Sequence, residues 1–177
     1  MGEDVLLEKS DWTNIYKNNV CEVVDKNVAE FNYKLLHNLL CNNYLLSKWK
    51  KDVDRNCNFC GNVIENNLHL ILECQNVRKV WNTVEMVLEI NIRWKHVVLG
   101  FFHEDNYKVR SLNFVISFFA FRIYKTKMML RMEDKNESVY NLLMHVKLDC
   151  HKTYLILKKS KYNSIDNKIL ERISLSL

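Results

Sequence analysis

Apolar residues recur every three to four positions along most of this chain, which is the period of an α-helix with one buried face. The best stripe spans about residues 76–89 and consists of Val77, Val80, Trp81, Val84, Val87 and Leu88. The chain has no proline and only three glycines, so few positions interrupt regular structure. The sequence therefore predicts a mainly α-helical protein.

Weaker stripes predict further helices before this one. A short helix begins at Ser10 or Asp11, and a longer helix covers about residues 25–40. The buried face of the longer helix is expected to comprise Val28, Phe31, Leu35 and Leu39. A brief helix then follows two asparagines and ends at Trp49.

The C-terminal part of the sequence predicts a looser stretch and then a helical pair. Residues 94–100 form a short helix or a strand, and two long helices cover about 106–131 and 137–159, so the pair occupies 106–159. The first long helix is expected to pack through Val109, Leu112, Ile116, Phe119 and Ile123. At 177 residues the length favours one domain over 1–177.

Four residues between these helices have the spacing of a metal site. Cys57, Cys60, His69 and Cys74 read as C-x2-C-x8-H-x4-C, and Gly61 follows the second cysteine. Two thiolates three positions apart can bind one side of a zinc ion while a distant His/Cys pair completes the tetrahedron. The glycine suits a turn that needs a positive φ. The sequence thus predicts an inserted CCHC zinc-knuckle-like loop that holds one structural zinc ion; chance clustering of cysteines in a helical core is the alternative.

The spacing of the last two ligands sets a condition on the helix that carries them. On a regular α-helix, residues five apart point about 140° away from each other. His69 and Cys74 can therefore bind one ion only if the helix ends, frays or bends near Glu73. A helix that begins at Asn66 or Asn67, both good N-caps, would satisfy this condition.

Charge is unevenly distributed along the chain. Residues 1–44 hold four lysines against seven acidic residues, whereas residues 122–161 hold ten basic against four acidic residues. A second basic group flanks the zinc motif: Lys48, Lys50, Lys51, Arg55, Arg78 and Lys79. Such asymmetry indicates contact with nucleic-acid phosphates, or else simply a solvated helix face.

The aromatic residues leave a similar choice open. Trp49, Trp81, Trp94 and Phe118 are expected in the core rather than on a base-stacking surface. Phe59, which lies between the first two cysteines, either stacks on an unpaired base or caps the metal core.

Other classes of protein are disfavoured. Residues 1–12 are acidic and have no apolar segment of a secretory signal, and the apolar run 112–121 is too short to span a bilayer. Cysteines outside the motif lack framework spacing, which favours an intracellular, cytoplasmic or nuclear location rather than secretion. The carboxylates Asp52, Asp54 and Glu65 are expected in solvated loops, and four protein ligands leave the metal no open position, so no catalysis is predicted.

Several motifs in a fixed order resemble the zinc-binding region that follows the reverse transcriptase domain in LINE-type (non-LTR) retrotransposon proteins. The resemblance is strong over about 26–85 and weak beyond. The matching residues are Phe31, Lys34, Leu36, His37, Leu40, Trp49, Lys50, Cys57, Cys60, His69, Cys74, Val80 and Trp81.

The resemblance implies a non-catalytic zinc module that binds RNA or DNA beside the reverse transcriptase domain of the parent element. No polymerase loop and no acidic cluster spaced for two-metal chemistry is present in the sequence. Nucleic-acid contacts are expected from Lys48, Lys50, Lys51, Arg55, Phe59, Arg78 and Lys79, with no membrane and no small-molecule substrate as partner. A structural or protein-interaction module, or a non-functional relic, is the alternative.

Overall fold

The computed structural model describes residues 7–21, 25–102 and 107–133, together with isolated positions at 141, 144, 148, 151–152, 155 and 171–172. Its six α-helices in these ranges are α1 (Lys9–Tyr16), α2 (Lys26–Leu36), α3 (Asn43–Trp49), α4 (Gln75–Leu88), α5 (Trp94–Val98) and α6 (Tyr107–Glu133). Two π-helical turns, Lys17–Cys21 and His69–Glu73, complete the regular structure, and no strand occurs among the described residues. The prediction of a mainly α-helical protein is confirmed. The predicted helix at 137–159 lies almost entirely outside the described residues.

Helix α6 is the centre of the fold. Every residue from 111 to 120 is buried, so this helix is covered on all sides rather than along one stripe. It packs against α2, α5 and both π-helical turns. Four of the five predicted packing residues, Leu112, Ile116, Phe119 and Ile123, are buried. The fifth, Val109 in the first turn of the helix, is only partly buried.

Helix α4 buries the stripe that the sequence predicts. Val77, Val80, Trp81, Val84 and Val87 are buried, and Leu88 packs against them at the edge of the core. The Trp81 ring lies against Phe119 of α6, with 6.2 Å between ring centroids. Together α2, α4 and α6 form one apolar core beside the cysteine motif.

Helix α2 ends earlier than the sequence predicts. Asn38 adopts a left-handed conformation with φ of 55°, which stops the helix after Leu36. The chain therefore leaves the helical path before Leu39, which is 60% exposed, and buries Leu40 instead. Placing Leu39 on the buried face was wrong, because asparagine ended the helix within the apolar period.

Candidate metal centre

The first two cysteines lie on a tight turn that the glycine makes possible. The Gly61 N–H donates to the carbonyl oxygen of Cys57 at 2.7 Å, and the Cys57 N–H donates to that of Val63 at 2.8 Å. Gly61 has a φ of +73°, and a Cβ at this position would meet nothing within 4 Å. Glycine is thus needed for the backbone angle rather than for space, as the motif predicts.

The other two ligands lie at the ends of the second π-helical turn, His69–Glu73. The Asn66 side chain caps the start of this segment by accepting the His69 N–H at 2.8 Å. The Cys74 N–H then donates to the His69 carbonyl at 2.9 Å, which is an i to i+5 hydrogen bond. The wider turn brings residues five apart onto one side of the helix, so the angular conflict of a regular α-helix disappears.

Helix α4 holds both halves of the motif in place. The Trp81 indole Nε1–H donates to the Ile71 carbonyl, inside the π-helical turn, at 2.7 Å. Asn76 Nδ2 donates to the Phe59 carbonyl, on the cysteine turn, at 2.7 Å. One helix therefore sets the distance between the two pairs of ligands.

The four ligand groups converge. One ligand atom from each of Cys57, Cys60, His69 and Cys74 lies within 4.8 Å of all the others. The Cys57 and Cys74 sulfurs are 3.8 Å apart, and Cys60 Sγ is 3.3 Å from His69 Nε2. Two sulfurs that each lie about 2.3 Å from a tetrahedral zinc ion are roughly 3.8 Å apart. The cluster could hold one metal ion, and its spacing fits tetrahedral coordination.

The surroundings favour the thiolate form of Cys57. A hydrogen bond from the Cys74 thiol is the largest cause that lowers the Cys57 pKa, and the nearby Lys127 lowers it further, whereas burial acts in the opposite direction. The same pairing and burial raise the pKa of Cys74. A metal ligand must be deprotonated, so a thiolate at Cys57 is already prepared for binding.

A buried charged cluster lies directly behind Cys57. Lys127 Nζ is 2.9 Å from Cys57 Sγ and forms an ion pair with Glu65, and Arg131 Nη2 lies 2.9 Å from the second Glu65 oxygen. The expectation that Glu65 lies in a solvated loop was wrong, because its side chain is 0% exposed. Sequence reasoning missed this cluster, although Lys127 lies four residues after Ile123 and so continues the buried stripe of α6.

Buried asparagines connect the motif to α3. Asn43 donates its backbone N–H to Glu65 at 3.0 Å, and its side chain donates to the Asn56 carbonyl at 2.6 Å and to Asn58 Oδ1 at 2.7 Å. Asn42 is likewise bonded to Asn67, at 2.6 Å. The start of α3 is therefore fixed against the metal centre.

The predicted nucleic-acid contacts divide into two groups. Five of the basic side chains are exposed to solvent: Lys48, Lys50, Lys51, Arg55 and Lys79. Arg78 instead forms an ion pair with Glu85 at 2.5 Å. Phe59 is partly buried against the core, and Lys127 Nζ lies 4.5 Å from its ring centroid, which matches a cap over the metal centre.

Trp49 is exposed, whereas the sequence predicts it in the core. Trp81 and Phe118 are buried as expected, but Trp49 is 75% exposed at the end of α3. Trp49 is the last residue of this seven-residue helix, and the first residue, Asn43, is bonded to the motif. Its expected place in the core was wrong.

Comparisons of the chain with protein-family models, with curated proteins and with solved structures found no match. Within the described part of the chain, no helix has both the length and the apolar character required to cross a bilayer.

Proposed function

We propose that the chain is a non-catalytic, zinc-stabilised module that binds single-stranded RNA or DNA. Zinc suits the site because three cysteines and one histidine supply soft ligands at tetrahedral spacing. Four protein ligands leave no open coordination position, so the ion acts in structure rather than in catalysis.

One observation carries the nucleic-acid assignment: an exposed tryptophan stands among exposed cations. The basic aromatic surface comprises Lys48, Trp49, Lys50, Lys51 and Arg55. A side chain as apolar as Trp49 is 75% exposed here, in the sequence neighbourhood of three lysines. Single strands offer unpaired bases that stack on aromatic rings and phosphates that attract cations.

The metal centre is hydrogen-bonded to the helix that carries part of this surface. The hydrogen bonds of Asn43 to Asn56 and Asn58 tie the first turn of α3 to the cysteine turn. Arg55 and Lys51 lie on the segment that enters that turn. A bound zinc ion would therefore hold both edges of the basic aromatic surface in a fixed relation.

We further propose that the module derives from the C-terminal part of a non-LTR retrotransposon reverse transcriptase protein, and that it acts inside the cell. The ordered motifs from Phe31 to Trp81 support this origin. In such a protein the module would hold element RNA or target DNA beside the polymerase.

A protein-docking module is the second candidate, and exposed apolar side chains on the cysteine turn favour it. Val63 is 47% exposed and Ile64 is 42% exposed. In that function the cations only keep the surface soluble, and binding would depend little on salt.

Salt dependence of binding to a single-stranded oligonucleotide separates the two candidates. Each phosphate contact contributes about −0.7 to the slope of log K against log salt, so three or four contacts predict a slope of roughly −2 to −3. Replacing Lys50, Lys51 and Arg55 with glutamine should flatten the slope by about 2. The matched control replaces the exposed Lys9, Lys26 and Lys108, which removes the same charge outside both basic regions.

Stacking is tested with Trp49→Ala and a matched control, Trp12→Ala. Stacking of one base contributes about 1–3 kcal/mol, so Trp49→Ala should weaken binding roughly 5- to 150-fold, at unchanged zinc content. Trp12 is also exposed, at 41%, but lies on α1 in the acidic part of the chain. No binding to RNA or DNA at low salt, with zinc in place, would refute the nucleic-acid assignment and favour docking to a protein.

A further inference from the structure

A lysine lies inside the protein next to the metal centre. The Lys127 side chain is 1% exposed and ranks among the largest fully buried side chains. A buried ammonium group is strongly unfavourable unless anions and hydrogen-bond acceptors surround it. Its position therefore requires a partner with negative charge.

Three groups surround the ammonium. Glu65, which is fully buried, forms an ion pair with it. Cys57 Sγ accepts a hydrogen bond at 2.9 Å, and the Phe59 ring lies on another side, 4.5 Å away at its centroid. The second Glu65 oxygen is occupied by Arg131 and by the Asn43 N–H, so Glu65 is shared between two cations.

The charges of this cluster also balance when a metal ion is bound. A divalent ion with three thiolates and a neutral imidazole has one net negative charge. Arg131 balances Glu65, which leaves the ammonium of Lys127 to balance the metal centre. Groups that hydrogen-bond to metal ligands orient those ligands and typically change metal affinity 10- to 100-fold.

We propose that Lys127 couples zinc binding to the docking of the C-terminal turns of α6. The ammonium donates to the zinc-bound sulfur of Cys57, so the bound ion holds the helix and the docked helix tightens metal binding. Linkage of this kind is reciprocal: each event strengthens the other by the same factor. Lys127 is a positioning residue, because it acts on the metal through Cys57.

The decisive comparison is Lys127→Met against Arg131→Met in the full chain. Both variants remove one cation from Glu65, but only Lys127 contacts Cys57. In competition with a chelator, Lys127→Met should lose about 10- to 100-fold in zinc affinity, whereas Arg131→Met should change it by less than about 3-fold. Lys127→Arg keeps a donor and should recover much of the loss.

Cobalt substitution supplies a readout that a purely structural ion pair would not affect. The sulfur-to-cobalt charge-transfer absorption should shift in Lys127→Met and stay unchanged in Arg131→Met. If Lys127→Met fails to fold, wild-type protein gives the answer: removing zinc should speed hydrogen exchange in the last turns of α6. Equal zinc affinities for the two methionine variants, an unshifted cobalt spectrum, or unchanged exchange in α6 after chelation would each overturn the coupling.

Discussion

The metal region and the helical core of this protein bury their side chains by different means. The core formed by α2, α4 and α6 is apolar and close-packed, with Trp81 and Phe119 both 0% exposed. The metal region, residues 55–75, contributes Leu70 and Ile71 to the same apolar cluster but also buries the polar groups Glu65, Asn67 and His69. An apolar core contributes its own stability, whereas buried polar groups contribute only when all their partners are in place. The metal region should therefore depend on its ion, and the core should not.

Zinc removal should give the largest effect and tests this contrast directly. Structural zinc contributes about 10–16 kcal/mol in isolated finger peptides, and here the loss should be confined to one region. After chelation, hydrogen exchange should accelerate over residues 55–75, in the first turn of α3 and in the last turns of α6, while α2 and α4 keep their protection. The contacts of Glu65 with Asn43 and Lys127 extend the expected loss of protection beyond residues 55–75 to α3 and α6. Unfolding of the entire chain would show that the core is not independent.

A cavity in the helical core should lower the stability of the core and leave zinc binding intact. Phe119→Ala should lower the free energy of unfolding by about 3–5 kcal/mol, because it removes a fully buried ring that packs on Trp81. Zinc stoichiometry should stay at one ion per chain, as measured by metal analysis of the folded protein. Met86→Ala on the exposed face of α4 is the control, since its side chain is 71% exposed. Loss of zinc from folded Phe119→Ala would indicate that the two regions are one cooperative unit.

Two glycines extend the comparison to single backbone positions, where the expected effects on stability are smallest. Gly61 and Gly100 have almost the same φ, +73° and +71°, but a Cβ on Gly100 would lie 2.7 Å from Asn19 Oδ1. Gly61→Ala should cost about 1 kcal/mol from backbone strain alone. Gly100→Ala should cost roughly 2–4 kcal/mol, because overpacking adds to the strain. Thermal melts with excess zinc measure both, and equal costs would mean that the side chains of Asn19 and Asn113 move aside freely.

Sequence periodicity predicted the helical core well because regular burial leaves a regular pattern. In α4, each position placed on the stripe from Val77 to Val87 is buried. The pattern failed where one backbone angle ends a helix, as at Asn38, which exposes Leu39. A local angle of this kind depends on contacts from outside the helix, which a periodic pattern does not encode.

The convergence of the four candidate ligands was predictable because metal coordination requires few residue types at few spacings. The charged groups around these four residues were not predictable from the sequence. Lys127 lies 70 residues from Cys57 in sequence, and charged residues are usually exposed, so only the fold brings the two together. The prediction for Trp49 was wrong for the opposite reason. An aromatic residue is usually assigned to the core, and the exposure of Trp49 is visible only in the structure.

The π-helical turn at His69–Glu73 affects how such sites are recognised in other sequences. A pair of ligands four residues apart suits a regular helix, and the pair here is five apart with the hydrogen bond from Cys74 to His69 closing the longer turn. One additional residue is absorbed by widening a single turn, which ends at Cys74 before α4 begins at Gln75, so both ligands keep their direction. A search that requires strict α-helical spacing between the last two ligands would discard this protein.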